Sequence, residues 1–96
     1  MREFMIGGQR MTSKEAIYTH LNRLFCFPNN FGNNLDALWD FLTEENEPTE
    51  IHFEQTDALL DEMEEYGKKL LGLFDQLDKQ MANYTVYFYP GEMKAK

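Results

Sequence analysis

One cysteine, one serine and two histidines restrict the chemistry available to this 96-residue chain. The lone Cys26 excludes an internal disulfide and suits a reducing cytoplasm. It stands in Phe25-Cys26-Phe27, without the basic neighbours that a low thiol pKa needs, and so reads as a small buried apolar residue. Ser13 is explained as a helix cap. His20 and His52 have no metal-binding spacing, and Gly7-Gly8 lacks the further glycines and lysine of a phosphate loop. Asp36 and Asp40 are the best pair for acid–base work, but a general acid near neutral pH needs a buried carboxyl. The expectation is a protein that is not an enzyme and has no cofactor and no metal. Long apolar runs are missing too. No window approaches the length of a membrane span. Met1–Arg10 mixes two arginines, a glutamate and a glycine pair, unlike a signal peptide.

Positive charge is absent from a long central stretch. The 44 residues between Arg23 and Lys68 hold no Lys or Arg, yet they hold 12 of the 17 acids. The rest of the chain has five acids against nine bases, and the net charge is −8. A negative lobe of this kind repels nucleic acid and anionic membranes and steers basic proteins into contact. Ordinary solubility would also account for acidity alone. Apolar content of 43%, with eight Phe, five Tyr and one Trp, supports a folded globule rather than a disordered acidic chain.

Patterning predicts the elements. Glu3–Ile6 is a short strand ended by Gly7-Gly8. Thr12 or Ser13 caps a helix that puts Ile17, Leu21, Leu24 and Phe25 on one face, with Glu15 placed for a capping box behind Thr12. Pro28 to Asn33 is a turn-rich loop, and a second helix follows over about Asn34–Thr43. Ile51 and Phe53 alternate with polar residues in a second strand. Thr56 caps a third helix reaching about Glu65, Gly67 breaks it, and Leu70, Leu71, Phe74, Leu77 and Met81 mark a fourth. Tyr84–Tyr89 is an aromatic, β-branched strand. The order βααβααβ, with long helical crossovers, predicts an α/β fold with a three-stranded parallel sheet and four helices. One domain over 1–90 and a frayed tail over 91–96 are expected.

Helical phase singles out the second helix. At about 100° per residue, Leu35, Leu38, Trp39, Phe41 and Leu42 share one arc. Asp36, Asp40 and Thr43 fall opposite, with Ala37 beside them. The two aspartates are four apart and therefore neighbours on an exposed face. Keeping two like charges there, around a small residue and beside an aromatic, suggests a contact surface.

The segment from Pro28 through Asn33-Asn34-Leu35-Asp36-Ala37-Leu38-Trp39-Asp40 to Thr43 resembles the hallmark of the barstar family. It covers about a sixth of the chain, while predicted order and length agree over nearly all of it. The resemblance implies the barstar-like fold and intracellular inhibition of a basic, secreted, barnase-like ribonuclease, as an antitoxin or immunity protein of the cytoplasm. It implies that the second helix and the loop before it enter the nuclease active site. Asp40 would then take the phosphate pocket and Asp36 a basic residue at its rim. Asn34, Ala37, Trp39 and Thr43 would frame the contact, together with the loop residue Phe31. Three positions depart from the family pattern. Asn30 replaces an aromatic, Glu44-Glu45 replaces Gly-Trp, and Gln76 stands where a glutamate contacts the nuclease. They suggest a cognate nuclease of different shape. The alternative is a barstar-fold module that neutralises a basic toxin or partner other than a ribonuclease. A monomer is expected when free, with no nucleic-acid or membrane partner.

Overall fold

The computed structural model describes residues 1–91. Its elements run β1 (Arg2–Gly7), a 3-10 turn (Gly8–Arg10), α1 (Lys14–Phe25), α2 (Leu35–Thr43), β2 (Thr49–Glu54), α3 (Thr56–Glu62), α4 (Glu64–Gln80) and β3 (Tyr84–Phe88). The predicted βααβααβ order is present, with the 3-10 turn added. The three strands pair in parallel in the order β1-β2-β3, which with four helices makes the α/β fold expected.

Period-two patterning gives the sheet its two faces. Register aligns Phe4 with Ile51 and Val86, and Ile6 with Phe53 and Phe88. This face meets the helices: Phe4 packs 4.5 Å from Phe25 of α1, and Phe53 packs edge-on 5.5 Å from Phe74 of α4. Ile6, Ile51, Phe53, Leu70, Phe74 and Leu77 are fully buried in one core. The opposite face carries Glu3, Met5, Glu50, His52, Thr85 and Tyr87 and is largely open to solvent, with Tyr87 43% exposed. Parallel sheets are usually covered on both faces, so this open one is unusual.

Helix α1 begins on one of its two expected caps, while the residue that ends it and the start and end of α3 differ from expectation. At α1, Ser13 is the cap: its Oγ accepts from the Ala16 N–H at 3.0 Å. The helix stops at Cys26, which takes the left-handed conformation at φ 57°. The expected burial of Cys26 is therefore wrong. The left-handed turn rotates its thiol to solvent while Phe25 and Phe27 pack inward, and Asn22 Oδ1 accepts the Phe27 N–H at 2.8 Å.

The third and fourth helices divide earlier than expected. The break falls at Met63, with α3 ending at Glu62, and Gly67 lies buried inside α4. A Cβ at Gly67 would stand 3.2 Å from Leu59 Cγ and 3.3 Å from Leu60 Cδ2, so the glycine serves close packing of α3 on α4. Thr56 is the first helical residue rather than the cap. Gln55, left-handed at φ 55°, holds the cap position. The N–H groups of Thr56 and Asp57 donate to the Tyr89 and Pro90 carbonyls, both at 3.1 Å, and that of Gln55 donates to Gly91 at 2.8 Å. Strand β3 thus continues into a segment whose carbonyls cap α3. The expected tail, 91–96, begins at this bonded Gly91, and from 92 onward it lies outside the described residues.

Candidate functional site

An asparagine starts the acidic helix. Asn34 has extended backbone at φ −144°, and its Oδ1 accepts the Ala37 N–H at 2.7 Å. Its Nδ2 donates to the Gly32 carbonyl at 3.2 Å, so one side chain closes both the loop and the first turn. At the other end, the buried Tyr84 hydroxyl donates to the Leu42 carbonyl at 2.7 Å. Burial pushes the Tyr84 phenol pKa up from its ordinary value. Leu38 and Leu42 are fully buried, and Leu35, Trp39 and Phe41 pack against the core. Strand β3 and the core thereby fix the orientation of α2.

That orientation leaves Asp36 and Asp40 exposed, with Ala37 half-buried between them. Neither aspartate forms an ion pair among the described residues. Asp36 lies in the first turn, where the positive end of the helix dipole favours a carboxylate. Thr43 is half-buried, and its hydroxyl bends back to donate to the Trp39 carbonyl at 2.8 Å.

Helix α4 supplies the second wall. Leu35, Asp36 and Trp39 face Gly72, Leu73, Gln76 and Gln80 across a groove of about 330 Å³. Gln76 therefore shares the groove with Asp36, whereas Asp40 does not line it. Gln80 Nε2 donates to Gln76 Oε1 at 2.7 Å, which orients that amide. Sequence reasoning missed Gly72, Leu73 and Gln80. Their spacing around Gln76 was visible, but nothing in the sequence said that this face of α4 lies against α2.

The loop before α2 behaves differently at its two neighbouring candidates. Asn30 is exposed. Phe31 turns inward and stacks on Phe27 at 3.9 Å and 8°, with Phe41 edge-on at 6.2 Å. Its place is that of an anchor holding the loop to α2. Glu44 is exposed at the C-terminal end of α2, whereas Glu45 is drawn to Arg2 at 3.3 Å. Among the described residues, only the first of these two glutamates is without an ion pair beside the helix.

The described residues thus form a two-layer α/β protein that presents an acidic helix and a shallow groove. No helix of the described chain is long and apolar enough to cross a membrane. The chain belongs to the barstar family: the family model described as Barstar (barnase inhibitor) matches residues 1–90. Members of that family are inhibitors, not enzymes. Similarity also extends to a Bacillus subtilis (strain 168) protein named "Putative ribonuclease inhibitor YrdF", 42% identical over 43 residues. The matched stretch is 45% of this chain and 47% of that relative, so it spans about half of each.

Proposed function

We propose that this protein inhibits a basic, barnase-like ribonuclease by inserting α2 into its active site. The observation that carries this reading is the exposed Asp36–Asp40 pair, on a helix held at its two ends by Asn34 and Tyr84 and without an ion pair among the described residues. Asp40 takes the place of a substrate phosphate and accepts hydrogen bonds from Arg and Lys groups of the nuclease. Asp36 meets a basic residue at the pocket rim. Ala37 lets the nuclease backbone approach. Trp39 and Gln76 contact its wall across the α2–α4 groove, and Asn30 and Glu44 flank the contact. Thr43 and Phe31 act by holding helix and loop in shape. No bond is made or broken in the inhibitor. The negative lobe accelerates encounter, and the contacts around Asp40 set how long the complex lasts.

The test is a titration of the purified protein against barnase-like ribonucleases, followed by RNA cleavage. Stoichiometric loss of cleavage supports the proposal. Failure to inhibit any of them, together with capture of an unrelated basic toxin, would replace it with the non-ribonuclease reading.

A further inference from the structure

The open face of the sheet holds a side-chain cluster that the inhibitory role does not use. Register places Glu3 of β1 directly opposite Glu50 of β2, and His52 follows two residues along the same face. Like charges opposed across strands are destabilising. Among the described residues no Arg or Lys pairs with either carboxylate: Arg2 pairs with Glu45 and Glu47, Lys68 with Glu64 and Lys79 with Asp75, while Arg10, Lys14, Arg23 and Lys69 form no ion pair. His52 Nε2 alone answers both carboxylates, at 2.9 Å from Glu50 Oε1 and 3.3 Å from Glu3 Oε2.

The imidazole is also fixed from behind. It stacks on Tyr87 at 5.1 Å and 14° and on Tyr89 at 5.8 Å and 19°. Its Nδ1 lies 2.9 Å from the Tyr89 hydroxyl. Without a cation the ring hydrogen belongs on Nε2, where it serves Glu50; a cation at Nε2 would shift it to Nδ1, where the Tyr89 hydroxyl can accept it. Metal-ligating histidines are oriented in this way, by a hydrogen bond from the far ring nitrogen.

We propose that Glu3, Glu50 and His52 form a site for a first-row divalent cation, with Zn²⁺ as its natural probe. One ligand atom from each residue lies within 4.8 Å of the others. A tetrahedral Zn²⁺ with bonds of about 2.1 Å requires ligand atoms about 3.4 Å apart. The two nitrogen–oxygen separations are already near that value, and the exposed Glu3 side chain has freedom to adjust. A single imidazole hydrogen satisfies one carboxylate well, whereas a dication neutralises both. Three protein ligands leave a fourth position for water or for a partner side chain. The ion would clamp β1 to β2.

The experiment is calorimetric titration of ZnCl₂ into metal-stripped protein, with melting temperature recorded in parallel. One Zn²⁺ per chain is expected, with affinity falling roughly tenfold or more in His52→Ala and in Glu50→Gln. The melting temperature should rise by a few degrees at saturating Zn²⁺ in the parent and much less in either variant. Glu64→Gln, a change in an exposed surface pair, should leave binding unchanged. Glu3→Gln gives a third ligand test at an exposed position should His52→Ala not fold. Absence of saturable binding would overturn the proposal and leave a simple histidine–carboxylate hydrogen bond. Equal binding by parent and ligand variants would overturn it in favour of diffuse attraction to the acidic stretch.

Discussion

Tyr84 and Asn34 hold opposite ends of the acidic helix, and each can be removed without touching an aspartate. Tyr84→Phe removes the shorter of two hydrogen bonds to the Leu42 carbonyl, which keeps the Glu45 N–H at 3.3 Å, for a loss of about 1 kcal/mol in urea unfolding. Asn34→Ala removes the cap and costs about 1 kcal/mol by the same measurement. No change in either variant would mean that α2 is held by apolar packing alone. The outward phase of Asp36 and Asp40 was legible in the sequence because 3.6-residue periodicity decides it locally. The exposure of Cys26 was not. Its flanking phenylalanines do pack inward, but a non-glycine residue in the left-handed region gives no local signal.

Among the elements, the strands were legible from local signals: alternation in β2, an apolar run ended by Gly7-Gly8 in β1, and aromatic and β-branched residues in β3. The junction of α3 and α4 was not, since glycine alone does not say whether it breaks a helix or lets two helices touch. Gly67 does the second. Glycines in this fold therefore respond to alanine in opposite directions. Gly72 lies exposed in mid-α4 with open space where a methyl would stand, so Gly72→Ala should stabilise by about 0.5–1 kcal/mol. Gly8 leaves no room, because a Cβ there would strike the Gln55 carbonyl. Gly8→Ala should destabilise by more than about 1 kcal/mol as the 3-10 turn shifts. Thermal unfolding of the two variants checks both signs. The α2–α4 groove itself depends on tertiary placement, and only resemblance pointed to Gln76.

At the scale of the whole molecule, charge governs both stability and encounter. His20 Nε2 accepts the Gly7 N–H at 3.0 Å, which ties α1 to the end of β1. Burial, followed by the charges of Arg10 and Arg23, holds its pKa below the ordinary 6.5. The unfolded chain therefore binds this proton more readily. Stability should be full above pH 6.5 and fall as pH drops toward the lowered folded value. Glu50, held below its ordinary 4.5 chiefly by the hydrogen bond from His52, adds a further loss below that value. Urea midpoints at descending pH should show this order, and a flat profile from about pH 7 to 5 would contradict it. Encounter responds to salt. Twelve acids in a stretch without bases should make association with a basic nuclease about tenfold slower or more as ionic strength rises from low to physiological.

The central claim is that α2 is the inhibitory element and Asp40 its principal anchor. Its most direct test compares ribonuclease inhibition by Asp40→Ala and by Glu62→Ala, two exposed acids of the same charged stretch. Truncating one member of a buried interfacial charge pair costs about 2–5 kcal/mol or more, a range informed by the barnase–barstar complex itself. Asp40→Ala should therefore weaken inhibition roughly a hundredfold or more, while Glu62→Ala should change it by a small factor through loss of steering alone. Equal effects of the two substitutions would contradict the assignment of the site to α2.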